Sequence, residues 1–133
     1  MRITGCEILH CNAGWRDFSF LKLMTDENIT GISEYNECYG SPGLSGIIRR
    51  LVERIKEMDA LAHEHIHQCL YAATRQAPGG VNQQAIAAIE NALLDIKGQA
   101  LNVPVYDLLG GAIRKEIPVY WSHCGTYLSL IHI

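Results

Sequence analysis

Several features that would assign a function class directly are missing from this chain. Its 133 residues contain no apolar run long enough to cross a bilayer and no apolar signal segment at the start. A net charge of -3 gives no basic surface of the kind that binds nucleic acid or an anionic membrane. These absences lead us to expect a cytoplasmic protein with no nucleic-acid partner and no membrane partner.

The number and spacing of the cysteines give no sign of a metal site or a redox site. There are 5, an odd number, and they are widely spaced without a Cys-x-x-Cys pair. Neither a zinc knuckle nor a thioredoxin-type redox pair is indicated, and we expect reduced thiols. A Walker phosphate loop and a G-x-S-x-G nucleophile elbow are likewise absent from the sequence.

The first third of the chain has the composition and periodicity of β-strands. Residues 3–11 are rich in β-branched and apolar side chains, and residues 18–25 partly alternate between apolar and polar. Asp26-Glu27-Asn28 supplies turn chemistry before a third extended segment, residues 29–37. Because the connections are short, the three segments are predicted to form an antiparallel meander.

After Ser41-Pro42-Gly43 the apolar spacing changes to three and four residues, which is typical of amphipathic helices. A first helix carries the stripe Ile47, Ile48, Leu51, Val52, Ile55 and Met58. A second is predicted over residues 60–75, with Ala62, Ile66, Cys69, Leu70 and Ala73 facing inward. A third is predicted to begin at an Asn82 N-cap and to bury Ile86, Ile89, Leu93 and Ile96. Residues 105–109 are predicted to form one short helical turn. Strands followed by a three- to four-helix bundle define an α+β fold.

Four phrases in order carry a resemblance to a known family. They are Thr25–Gly31 (TDENITG), Ala88–Gly98 (AIENALLDIKG), Pro104–Gly111 (PVYDLLGG) and Ile117–Tyr120 (IPVY). Together they resemble the N-terminal capping domain of the enolase superfamily, in its mandelate racemase and muconate lactonizing enzyme branch. The resemblance implies a lid domain over residues 1–114. It also implies that residues 115–133 begin a (β/α) barrel, truncated after a first strand at 117–121 that is left unpaired.

The resemblance also implies a chemistry, which belongs to a longer parent enzyme. In this superfamily a base removes the proton next to a carboxylate, and Mg²⁺ stabilises the enediolate. The parent would be a racemase, a cycloisomerase or an acid-sugar dehydratase, acting on a small-molecule carboxylate or acid sugar, and a homo-oligomer. Its acids, bases and metal ligands lie on later barrel strands. We therefore expect this chain to contain no catalytic residue and no metal ligand, and to be inactive without the missing barrel domain.

What the resemblance leaves to this chain is substrate recognition by two lid loops. In the first loop, Trp15 and Arg16 are predicted to contact the substrate; the alternative is that Arg16 pairs with a nearby acid and Trp15 packs on the core. In the second loop, Tyr39 is predicted to offer its hydroxyl, or else to cap the end of the sheet. Cys124, near the end of the first barrel strand, is the fourth predicted substrate-binding residue.

Two other functions are compatible with parts of the sequence. His63-Glu64-His65-Ile66-His67 satisfies the H-E-x-x-H pattern of zinc hydrolases, with His63 and His67 as ligands and Glu90 as a possible third. The alternative for these histidines is half-buried packing beside the apolar stripe. The chain could also be a stand-alone binding or oligomerisation module, which would fold cooperatively by itself.

Overall fold

The computed structural model describes residues 1–14 and 16–120 and shows a three-stranded sheet followed by four helices. The strands are β1 (Ile3–Asn12), β2 (Asp17–Thr25) and β3 (Thr30–Tyr35). The helices are α1 (Leu44–Ile55), α2 (His63–Ala73), α3 (Gly80–Leu101) and α4 (Val105–Leu108). The predicted α+β order and the antiparallel meander are confirmed. The domain boundary predicted near residue 114 stays a prediction.

The sheet has the order β1-β2-β3, with both pairs antiparallel. Alternate side chains of each strand point to opposite faces. Leu21 and Leu23 of β2 are fully buried on the face that meets the helices. The turn predicted at Asp26-Glu27-Asn28 connects β2 and β3, and Asn28 in it adopts a left-handed conformation (φ 61°).

The helices bury most of the predicted stripes. The four apolar residues predicted for α3 are buried, and so are four of the six predicted for the first helix: Ile48, Leu51, Val52 and Ile55. In α2 only Ile66 and Leu70 are buried, whereas Cys69 and Ala73 are exposed. The predicted buried face of α2 was too wide, because this helix packs mainly against α3 along one narrow side. None of these helices, within the part of the chain that is described, is long and apolar enough to cross a membrane.

Helix α3 begins and ends differently from the prediction. The Asn82 N-cap was wrong, because α3 starts at Gly80 and the Asn82 side chain donates instead to the Ala77 carbonyl at 2.8 Å. At the other end Asn102 is left-handed (φ 52°). The Val103 N–H reaches back to the Gly98 carbonyl at 2.9 Å, which satisfies a carbonyl that the helix leaves open.

The strand predicted at residues 117–121 is not formed over residues 117–120, and Trp121 lies outside the described residues. Ile117 and Val119 are 75% and 90% exposed. A strand needs a neighbour to pair its N–H and C=O groups, and no segment of the described chain offers one here.

Strand β3 and helix α3 approach so closely that a side chain would not fit between them. A Cβ atom built on Gly31 would lie 1.9 Å from the carbonyl oxygen of Ala92 and 2.9 Å from the Ile96 side chain. Because the nearest atom is backbone, the clash could be relieved only by moving the strand or the helix. Gly31 and the small residue Ala92 therefore set the distance between the sheet and the longest helix.

We predict that Gly31→Ala lowers the free energy of unfolding by about 3 kcal/mol or more, since it overpacks a backbone contact. The matched control is Gly46→Ala in α1, where an added Cβ meets no atom within 4 Å. That substitution should be neutral or stabilising by up to about 1 kcal/mol, because alanine favours helix. Urea denaturation followed by circular dichroism measures both, and equal midpoints for the two variants would contradict the packing argument.

Candidate functional site

The two predicted loops lie at the same end of the sheet. Because β1 and β3 are each antiparallel to β2, they run in the same direction. The β1–β2 connection (residues 13–16) and the β3–α1 connection (residues 36–43) therefore leave the sheet side by side. The segments that carry Arg16 and Tyr39 therefore lie at the same end of the sheet.

Local hydrogen bonds shape the tip of the β1–β2 hairpin. The Asn12 side chain donates to the Asp17 carboxylate at 2.6 Å and accepts from the Gly14 N–H at 2.8 Å. Gly14 has a φ of 85°, which a residue with a side chain adopts only with strain. Trp15, predicted to contact substrate from this tip, lies outside the described residues.

Arg16 is held by its neighbours on the sheet. Its Nη2 donates to Glu34 Oε1 at 2.9 Å, and its guanidinium carbon stands 3.9 Å from the centre of the Phe18 ring. This contact, from the residue just before β2 to the end of β3, matches the alternative that Arg16 pairs with a nearby acid. A contact with substrate stays a prediction.

Tyr39 lies in the second loop and is 63% exposed. It borders an open cleft of about 280 Å³ between the end of β3, this loop and the first half of α3. Polar and apolar side chains both line the cleft, and the polar ones include Glu34, Asn36, Gln84 and Asn91. Cys124, the remaining predicted contact, lies outside the described residues.

A chain of hydrogen bonds anchors the second loop to the core, and the sequence did not suggest it. The Tyr35 hydroxyl and Ser45 Oγ are 2.6 Å apart, and the Ser45 hydroxyl donates to the Glu37 carboxylate. Since the single proton of Ser45 goes to Glu37, Tyr35 donates to Ser45. Tyr35 ends β3 and Ser45 lies in the first turn of α1. These hydrogen bonds therefore connect the two ends of the loop.

The pKa values of Tyr35 and Glu37 are both shifted by these surroundings. Burial raises the pKa of Tyr35, so its hydroxyl keeps its proton. For Glu37, burial alone would raise the pKa, but the hydrogen bonds from Ser45 and from the Gly43 N–H bring it below its ordinary value of 4.5. A nearby His10 acts in the same direction. Glu37 therefore holds the loop as a carboxylate.

Helix α3 supports the same region and the outer edge of β3. The Ser41 hydroxyl donates to Gln84 Oε1 at 2.6 Å, which joins the second loop to α3. Further along, Asp95 accepts the Ile32 N–H at 2.8 Å, and Gln99 donates to the Thr30 carbonyl at 2.9 Å. Their spacing of four residues on one helix face could have suggested a shared neighbour, but not which one.

The histidines of the H-E-x-x-H pattern have other neighbours. His67 Nδ1 lies 3.0 Å from Glu90 Oε2, whereas His63 Nδ1 faces the Lys97 ammonium at 3.4 Å. A lysine cation beside one of the two required ligands disfavours a zinc ion. More generally, no three His, Cys, Asp or Glu side chains within residues 1–14 and 16–120 are placed to hold a metal.

A three-stranded sheet followed by helices, with two loops at one end of the sheet, is the architecture of an α+β capping domain. The family model for the mandelate racemase and muconate lactonizing enzyme N-terminal domain matches residues 11–110. The chain therefore belongs to this family of the enolase superfamily.

Relatives of the chain are longer enzymes. It is 37% identical to D-galactonate dehydratase of Xanthomonas axonopodis pv. citri and 40% identical to that of Pectobacterium atrosepticum, covering 90% of this chain and 31% of each relative. A proposed L-alanine-DL-glutamate epimerase from Burkholderia xenovorans strain LB400 is 48% identical with a TM-score of 0.90, over 96% of this chain and 32% of that one. The chain thus spans about a third of the length of these relatives.

The Glu37 contacts predict a pH dependence of stability. Because the folded-state pKa of Glu37 is lowered, its stabilising effect is complete above pH 4.5 and is lost as the pH falls through the folded-state value. Glu37→Gln should therefore lower stability near neutral pH and weaken the loss on acidification. Urea midpoints from pH 7 down to pH 3 measure this, with Glu116→Gln as the exposed control. Parallel curves for wild type and Glu37→Gln would contradict it.

Proposed function

We propose that this chain is the lid of a Mg²⁺-dependent enzyme that removes the proton next to a carboxylate, and that the enzyme is an acid-sugar dehydratase. The observation that carries this is the placement of both loops at one end of the sheet, in a chain whose relatives include dehydratases of D-galactonate. By this proposal the Mg²⁺ ligands and the catalytic groups lie in the remainder of the parent, because the described residues offer no metal site.

Within the parent, the chain's own residues would exclude water and recognise the distal part of the substrate. The Arg16–Glu34 pair lies at the end of the sheet and the exposed Tyr39 borders the cleft beside it. An arginine fixed by a carboxylate and an aromatic ring is pre-organised, so less side-chain entropy is lost when a substrate hydroxyl or carboxylate binds. The Tyr35–Ser45–Glu37 chain would keep the second loop in the position that places Tyr39.

A second activity has support of its own. The relative from Burkholderia xenovorans is a proposed dipeptide epimerase, and its crystal structure was also obtained bound to magnesium and fumarate, with 49% identity to this chain. Epimerisation uses the same first step, removal of the proton next to a carboxylate, but returns it instead of expelling a hydroxyl. The two activities are separated by their products.

The test is to extend the reading frame past residue 133 from the gene and to assay the product with Mg²⁺. Dehydration of aldonic and aldaric acids yields 2-keto acids, whereas epimerisation of acidic dipeptides exchanges the α-proton with solvent deuterium. We expect dehydration, loss of activity with a chelator, and no turnover by the 133-residue chain alone. A frame that ends without further acidic strand ends would overturn the proposal.

In that extended enzyme, Arg16→Met and Tyr39→Phe should each raise KM for the acid by about 10-fold while kcat changes little. Each removes a contact that substrate and transition state share, and a hydrogen bond to a charged group contributes about 1.5–3 kcal/mol. Lys22→Met, on the outer face of β2, is the matched control. Unchanged KM values would show that Arg16 and Tyr39 are structural only.

A further inference from the structure

The two edges of the sheet differ in how their backbone groups are used. The β3 edge is covered by α3, because Ile32 donates to Asp95 and Thr30 accepts from Gln99. With the Thr30 carbonyl and the Ile32 N–H occupied, this part of the edge is blocked to another strand, which is one way that natural sheets avoid unwanted pairing.

Only the beginning of the β1 edge is covered. The Ile3 N–H donates to the Met58 carbonyl at 3.1 Å, and the Ile3 carbonyl accepts from the Glu57 N–H at 2.9 Å. Further along, over residues 6–12, we find no backbone partner on this edge within the described part of the chain. The open segment lies in a strand of 10 residues.

The register shows which groups point outward from this segment. The backbone N–H of Ile32 points away from β2. The backbone groups of its partner Lys22 therefore point toward β1, where they pair with those of Glu7. Glu7 and the alternate residues after it therefore use their backbone groups within the sheet. The outward donors and acceptors belong to Cys6, Ile8, His10 and Asn12.

We propose that this edge pairs antiparallel with the same edge of a second copy of the chain, about a two-fold axis at Leu9. This register matches residues 6–12 of one copy with residues 12–6 of the other and uses all the outward groups, for about eight hydrogen bonds. A shift toward the start of β1 would run the second strand into the segment already occupied by Glu57 and Met58.

The side chains suit this register. Leu9, 41% exposed in the single chain, meets the partner's Leu9 on the outer face. Glu7 faces the partner's Cys11 and Ile8 faces the partner's His10, so no like charges stand opposite each other. Glu7 is in addition neutralised by Lys22 at 3.2 Å. These pairings make the edge complementary to itself, as a two-fold interface requires.

Disulfide formation at one predicted position tests the register. Glu7 and the partner's Cys11 would form a non-hydrogen-bonded pair with Cα atoms about 4.5 Å apart, within disulfide range. Glu7→Cys should therefore give an oxidised dimer linked between positions 7 and 11, identified by peptide mass mapping. Adding Cys11→Ser to the Glu7→Cys variant should abolish that link. Ile32→Cys, an exposed thiol on the β3 edge of the same face, is the control and should not cross-link above background.

A second variant tests the axis without oxidation. Leu9→Arg places two like charges together at the two-fold and should weaken the dimer at least 10-fold in sedimentation velocity, whereas Ile32→Arg should leave it unchanged. A wild-type chain that is monomeric at all concentrations, or cross-links at other cysteines, would overturn the proposal. Loss of the 7–11 link in the extended gene product would also overturn it, because the rest of the polypeptide would then cover this edge. None of these readouts depends on activity, so the lid proposal is tested separately.

Discussion

The close approach of Gly31 to Ala92 is the contact on which the rest of the structure depends. A side chain at position 31 would fall within 1.9 Å of the helix carbonyl, so strand and helix meet backbone to backbone. This brings Asp95 and Gln99 within hydrogen-bonding distance of the edge of β3. The same placement of α3 lets Gln84 reach Ser41 in the second loop. One small residue thus determines how the sheet, the longest helix and a functional loop are arranged.

At the loop end of the sheet, buried hydrogen bonds anchor the second loop while Tyr39 within it is exposed. His10, Ser19 and Tyr35 form one row across the three strands, on the face that meets the helices. From Tyr35 the row continues through Ser45 to the Glu37 carboxylate. Ser19, Tyr35 and Ser45 are buried, and a buried polar group left unsatisfied costs about 1–3 kcal/mol. The loop is therefore tied at both ends while Tyr39 between them stays exposed, which is the arrangement that a recognition loop needs.

Predictions based on periodicity succeeded where one surface decides the pattern. The stripe of α3 is buried as predicted because that helix packs against the sheet and the three other helices. The pattern overestimated the buried face of α2, which has one main neighbour, and it gave Asn82 a capping role that its bond to Ala77 prevents. The strand expected after Ile117 has a suitable composition but no partner within the described chain. Composition cannot show that, because a strand is formed by two segments and not by one.

The sequence by itself determined the α+β class, the order of the elements and the family, because local periodicity and ordered motifs are properties of neighbouring residues. It also indicated that Arg16 had either a substrate or a nearby acid as its partner. Only the tertiary structure decided that Arg16 contacts Glu34, that His63 faces Lys97, and that Ser45 joins Tyr35 to Glu37. These partners lie 8 to 34 residues apart in the chain. Their pairing depends on strand register and on the packing distance of α3, and neither is encoded in any single segment.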